Sequence, residues 1–275
     1  ELLNQVEAAL EGIDTAYARV AYTGARTRFG LLQNPDVKQA SQSLKSLEAT
    51  IRPIIRDQIG GGDKKDDLLT RWVHTKGIDG RSLKEDQVMS EAICFLMMAY
   101  TSLPKILFGA ITNITMESQS DFLEELSRET NNVVKLITSI STLDEGTPPP
   151  ITPHNESAWK TIPLHNAIVL EALRLYPPNW LSQYRVSSGV LPLGSAQQDE
   201  ERGPTTTVDD LIWLSPWGSH HNSESFPKAE RFWPQRWSGN LENQLPLYSF
   251  APFGYHGQPS LSEVYCKEVA ARFLM

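Results

Sequence analysis

Glu171-Ala172-Leu173-Arg174-Leu175-Tyr176-Pro177-Pro178 decides how this 275-residue chain is read. His165 to Tyr176 is predicted to be a helix, closed by the two prolines, which cannot continue it. On that helix Glu171 and Arg174 are three apart and share a face, so they can pair. Such a pair is common, and a surface ion pair is its ordinary meaning. Two later segments, in a fixed order, give it weight. About fifty residues on stands Phe226-Pro227-Lys228-Ala229-Glu230-Arg231-Phe232-Trp233-Pro234-Gln235-Arg236-Trp237, and then Phe250-Ala251-Pro252-Phe253-Gly254-Tyr255-His256-Gly257.

The segments upstream read as helical. Leu2, Leu3, Val6, Leu10 and Ile13 recur at near-helical spacing between Glu1 and Ala21. Asn34-Pro35 opens a second helix, running through Leu44, Leu47, Ile51, Ile54 and Ile55 until Gly60-Gly61-Gly62 stops it. Asp66-Asp67 suit the start of a short helix, Leu68 to His74. Ser82 with Glu85 spells a capping box for a long helix from Leu83 to about Ile114, apolar enough in its middle to be buried all round. Asp121 to Thr138 is a further amphipathic helix. Beyond a proline-rich break at Thr147 to Pro153 and the Glu171 helix, the β-prone pieces are Val190-Leu191 and Leu211 to Leu214, separated by a polar insert. His220 and His221, adjacent, would point apart on a strand. Ser262 to Leu274 is helical again. The fold class expected is mainly α with a small β element late in the chain.

Taken together, the three segments resemble the cytochrome P450 family: its Glu-x-x-Arg helix, its Phe-x-Pro-x-Arg-Trp meander and the Phe-x-x-Gly start of its haem loop. Leu83 to Ile114 looks like the family's long oxygen-binding helix, and Leu123-Glu124-Glu125-Leu126 like the helix after it. Trp159-Lys160 before the Glu171 helix resembles the fungal biosynthetic members. The resemblance implies one P450-like domain over 1–275: helical to 180, a small β and meander region over 181–249, and haem loop with last helix over 250–275. It implies a chain that starts well into the family's fold, and a buried charge triad of Glu171, Arg174 and Arg236.

The same resemblance exposes departures. The family's loop reads Phe-Gly-x-Gly-x-Arg-x-Cys-x-Gly. Here its second glycine is His256, its arginine Gln258, its cysteine Ser260 and its last glycine Ser262. The thiolate is what pushes electron density into the iron, and a serine hydroxyl is a far poorer donor. Cys266 stands six residues on, inside the following helix, and reads as a small core residue. In the long helix the family's oxygen groove aligns with Met97 to Ser102. Thr101 survives there, whereas Met98 replaces the groove glycine and Tyr100 the acid.

Bulk properties limit the rest. Hydrophobic residues make up 40% and charged residues 21%, with a net charge of −8. That charge argues against a nucleic-acid partner. Two cysteines make no disulfide framework, so an intracellular, cytoplasmic setting is expected, or the endoplasmic-reticulum surface if an anchor once preceded Glu1. No run of about 18 apolar residues suggests a membrane span. The six histidines show no metal-ligand spacing, and neither a phosphate loop nor a nucleophile elbow occurs.

The function expected is a haem-free, P450-derived enzyme of secondary metabolism. It would catalyse a non-redox cyclisation, such as an intramolecular Diels–Alder cycloaddition of a terpenoid or polyketide, with no cofactor and no redox partner. Candidate catalytic donors are Tyr100, Thr101, Tyr184, Arg185 and His256. Met97, Met98, Asn179, Trp180 and Leu181 would shape the wall for a small hydrophobic substrate. A non-catalytic binding or scaffold protein, and a haem protein with Ser260, His256 or solvent as ligand, are the alternatives.

Overall fold

The computed structural model describes residues 2–23, 35–61, 67–77, 80–116, 120–141, 162–178, 182–190, 205–238, 245–246, 248–254 and 262–274. In chain order they form α1 (Leu2–Thr23), α2 (Pro35–Ile59), α3 (Leu68–His74), α4 (Glu85–Met116), α5 (Ser120–Ser141), α6 (Pro163–Leu175), β1 (Ser182–Val186), β2 (Leu211–Leu214), α7 (Pro216–His220), a 3₁₀ turn (Pro234–Trp237) and α8 (Glu263–Phe273). The mainly helical class expected from the sequence holds. Contacts divide the chain into two compact units, Glu1–Thr101 and Ser102–Met275.

In the first unit, Leu47, Ile51 and Ile55 recur every four residues and make one apolar stripe of α2. They pack with Ala9 and Leu10 of α1, Val73 of α3, and Val88, Met89 and Ala92 of α4. Asp67 caps α3, its carboxylate accepting from the Thr70 N–H at 2.8 Å. The capping box does not form where the sequence suggested it. The helix begins at Glu85, and the Gln87 side chain reaches back to the Lys84 N–H at 2.9 Å, the reciprocal half of such a box two residues later. Glu85 is used differently. Arg52 meets it at 2.6 Å and Arg56 at 3.0 Å, joining α2 to the start of α4. Hydrogen bonds from Arg56 and then Arg52 hold the Glu85 carboxyl below its ordinary range.

One expectation about α4 fails. The helix is not buried all round: Phe108 is 68% exposed and Met116 77%. Apolar composition alone does not say how many faces a helix covers. An 18-residue window of α4 also reaches a mean hydropathy of 1.5, so by length and composition it is apolar enough to cross a membrane. Core helices pass the same test.

In the second unit α6 is the central helix, with Ala167, Ile168, Val169, Ala172 and Leu173 buried. It packs against the 3₁₀ turn, α8, α7 and α5. No side chain of its own caps it, because Ile162 holds the N-cap position. Glu129 of α5 does so from outside, accepting from the Leu164 N–H at 2.9 Å and the His165 N–H at 3.0 Å. The same carboxylate holds His165 Nδ1, and His165 Nε2 faces the Thr130 hydroxyl at 3.2 Å.

The β element is a two-stranded antiparallel ladder pairing Tyr184 with Trp213, Arg185 with Ile212 and Val186 with Leu211. The first strand is therefore Ser182–Val186 and does not include Val190, while Leu191 lies outside the described residues. Past Val186 the Ser187 N–H still bonds the Asp210 carbonyl, but the Ser187 hydroxyl takes the Gly189 carbonyl and turns the chain away. Val190 is left exposed outside the ladder. His220 and His221 lie at the end of α7, not on a strand.

Candidate functional site

The Glu171 carboxylate is fully buried and accepts five hydrogen bonds. Oε1 takes Arg174 Nη2 at 2.8 Å, Arg236 Nε at 3.1 Å and the Trp233 N–H at 2.9 Å. Oε2 takes Arg174 Nε at 3.0 Å and Trp237 Nε1 at 2.9 Å. Burial pushes the Arg236 guanidinium below its ordinary value, and Glu171 opposes that shift. Further guanidinium protons go to backbone carbonyls: Arg174 to His220 and Arg231, Arg236 to Pro227 and Lys228. Lys228 adopts φ +56, a left-handed conformation rare for a side chain of this size, in the turn that presents its carbonyl to Arg236. Arg236 also lies over the Trp233 ring, 5.1 Å from its centroid. The structure thus brings Glu171, Arg174 and Arg236 together as a buried, saturated network, not as a surface pair.

His220 extends this network. It is fully buried, with Nδ1 3.1 Å from the Arg174 carbonyl and Nε2 accepting from the Ala251 N–H at 2.9 Å. The proton must sit on Nδ1, since Nε2 is an acceptor. Burial lowers the His220 pKa to about 3, so the ring is neutral. Through it, the end of α6 holds the start of Ala251-Pro252-Phe253-Gly254. Gly254 has φ +112, which a side chain would oppose.

A groove of about 450 Å³ opens in the same unit between the second half of α4, the end of α6 and α7. Phe108, Leu175, Pro177 and Trp217 give its apolar surface, and Lys105, Asn113, Tyr176, His221 and Glu230 its polar groups. Lys105 Nζ donates to the Pro178 carbonyl at 3.0 Å. Asn113 Nδ2 donates to the Tyr176 hydroxyl oxygen at 3.2 Å, which leaves that O–H free to donate elsewhere. His221 stacks on Trp217 with centroids 4.4 Å apart, its Nδ1 on the Trp217 carbonyl. Sequence reasoning pointed to none of these nine residues as site residues. The helical spacing of Lys105 and Phe108 was the available signal, but it is shared by any helix face.

Of the candidates read from the sequence, those on α4 belong to the first unit. Met97 and Tyr100 pack against the core of the first unit. Burial raises the Tyr100 phenol above its ordinary pKa, and Glu11, Glu7 and Asp14 add to the rise. Met98 Sδ lies 3.7 Å from the Cys94 thiol. The Thr101 hydroxyl bonds back to the Met97 carbonyl at 3.0 Å. Tyr184 and Arg185 are placed by backbone only, on β1. Asn179, Trp180, Leu181, His256 and Ser260 lie outside the described residues.

The cysteines of this chain do not stand where the family resemblance would place a thiolate for haem. The position that would supply the sulfur is Ser260. Cys266 is no substitute: it is fully buried in α8, and burial drives its thiol up to about 11, away from the thiolate a metal requires. No group of three or more His, Cys, Asp or Glu side chains able to hold a metal ion occurs among the described residues.

The buried Glu-x-x-Arg helix, the arginine meander and the loop begun at Phe253-Gly254 are the three segments on which the resemblance to cytochromes P450 rests. Residues 149–255 match the family model for cytochrome P450. The chain is 24% identical over 235 residues to cyclooctat-9-en-7-ol 5-monooxygenase of Streptomyces melanosporofaciens, covering 85% of this chain and 45% of that protein. It is 25% identical over 273 residues to pentalenene oxygenase of Streptomyces avermitilis, covering 98% and 54%. A crystal structure of a cytochrome P450, CYP102L1, superposes with a TM-score of 0.66 at 16% identity, over 95% of this chain and 56% of that one. Together these matches support a relationship to the cytochrome P450 family. It spans about half the length of the relatives it matches.

Proposed function

We propose that this chain uses a P450 scaffold for a reaction other than oxygen activation: a non-redox cyclisation or pericyclic step, such as an intramolecular Diels–Alder cycloaddition, on a hydrophobic terpenoid or polyketide. The observation that carries this reading is the pairing of a saturated Glu171–Arg174–Arg236 network with Ser260 at the ligand position. The residues that maintain the fold are kept, and the residue that supports the redox chemistry is changed. Relatives named for monooxygenation of cyclooctat-9-en-7-ol and for oxygenation of pentalenene support the substrate class. A groove of about 450 Å³ is within the range of small-molecule sites.

A pericyclic reaction needs a confined near-attack pose, and orientation alone can remove several kcal/mol of barrier. A hydrogen bond to a dienophile carbonyl adds electrostatic stabilisation. The Tyr176 hydroxyl and Lys105 ammonium are donors in the groove, and Tyr184, Arg185 and His256 remain candidates on the segments beyond α6. A binding role without catalysis is the second reading. It is favoured by Tyr100, a candidate donor that packs against the core of the first unit.

The test is direct. Purified protein is supplemented with haem, and spectra are recorded before and after reduction under carbon monoxide. The same protein is then incubated with linear polyene substrates and no reductase. Cyclised product without a stoichiometric Soret band is the expected result. A stoichiometric Soret band with a thiolate-type carbon-monoxide shift would overturn the reading, and so would the absence of any rate above the uncatalysed one. Restoring the sulfur in S260C is expected to increase haem retention.

A further inference from the structure

We infer that the groove recognises an amphipathic prenoid carrying a carboxylate, and that Lys105 is the residue that selects for the acid. This rests on the groove being the ligand site of the proposed function. The polar groups are divided by wall. The α4 and α6 side presents donors: the Lys105 ammonium, held by one contact to the Pro178 carbonyl at 3.0 Å, and the Tyr176 O–H, whose oxygen is already occupied by Asn113. The α7 side and the turn beyond it present His221 and the Glu230 carboxylate. Between them lie Phe108, Leu175, Pro177 and Trp217, an apolar surface for a hydrocarbon chain.

An ammonium has three protons, and the Pro178 carbonyl takes one. Among the described residues no hydrogen bond is recorded for the other two, which leaves them available to an acceptor. The contact to Pro178 also orients the Lys105 side chain, so less rotamer entropy is lost when a ligand arrives. A carboxylate answers both Lys105 and the Tyr176 hydroxyl with charge-assisted bonds, which an alcohol does not. Glu230 on the facing wall repels a carboxylate placed there, so the acid end is set at the Lys105 wall.

The test uses farnesoic acid and farnesol, two probes that differ only at the polar end, with the full chain and isothermal titration calorimetry below their aggregation concentrations. The acid is expected to bind about tenfold more tightly than the alcohol, or about 1.4 kcal/mol. Lys105→Met keeps most of the stem and removes the charge. It should erase the preference, bringing the affinity for the acid down to that for the alcohol. Lys105→Arg should retain it. Lys105 is exposed, so both variants should fold, which circular dichroism would check. Equal affinities in the unchanged protein, a preference that survives in Lys105→Met, or no binding of either probe would each overturn the assignment. Acid-selective, Lys105-dependent binding without turnover leaves this inference standing and removes the catalytic reading. Turnover of a neutral polyene with no acid preference does the reverse.

Discussion

Glu171→Gln is the sharpest perturbation the structure offers. The substitution is nearly isosteric, so no cavity enters the comparison. It removes the one negative charge among two buried guanidinium groups and turns one acceptor oxygen into a donor. If the new NH₂ takes the Oε2 place, Arg174 Nε and Trp237 Nε1 lose their acceptor; at Oε1, three donors lose theirs. The smaller loss is two hydrogen bonds to a charged group, each about 1.5–3 kcal/mol. That agrees with the about 3–5 kcal/mol found when one member of a buried ion pair is removed. Urea unfolding is followed by tryptophan fluorescence, since Trp233 and Trp237 both contact the network. At a slope of about 2 kcal/mol per molar urea, the midpoint should fall by about 2 M. A single-variant loss under about 1 kcal/mol would refute the account.

Three other perturbations have equally definite outcomes. His220 is neutral when folded, with a pKa near 3, and titrates near 6.5 when unfolded, so the unfolded state binds the extra proton and stability is lost as pH falls from about 6.5 toward 3. At pH 4.5 this costs about 3 kcal/mol relative to pH 8, and the urea midpoint of His220→Gln should be less pH-dependent by that amount; an equal pH dependence sinks the assignment. Gly109→Ala places a Cβ 2.5 Å from the Tyr176 ring, so it should move that ring, break the Asn113–Tyr176 bond and destabilise by about 1–3 kcal/mol despite better helix propensity; an unchanged thermal midpoint and probe affinity would count against the packing described. Iodoacetamide at pH 8 should label the exposed Cys94 and spare the buried Cys266 until denaturant is added, as mass spectrometry of peptides would show.

The parts of this fold that sequence disclosed are those set by short-range rules or by ordered motifs. Leu68–His74 was legible because Asp67 caps it and the apolar pattern fills it. The Glu171, Arg174 and Arg236 set was legible because three segments occur in order. The misses have a common cause. Lys84 and Gln87 replaced Ser82 and Glu85 at the start of α4 because Arg52 and Arg56, about thirty residues away, draw Glu85 to themselves. The helix cap from Glu129 to α6 joins segments 35 residues apart, and no local pattern announces it. The groove is assembled from α4, α6, α7 and the turn beyond, each contributing residues ordinary in their own context.

The Glu171 network has a consequence for the making of the protein. Its carboxylate and Arg174 leave the ribosome together, but Trp233, Arg236 and Trp237 come 62 to 66 residues later. Until then the helix that forms the centre of the second unit carries polar groups whose partners do not yet exist, and burying it is unfavourable. Translation therefore holds this unit open until the meander has emerged. A gene cut anywhere between Tyr176 and Trp237 would yield a piece unable to close, so the meander marks the shortest C-terminal limit for any working fragment of this chain.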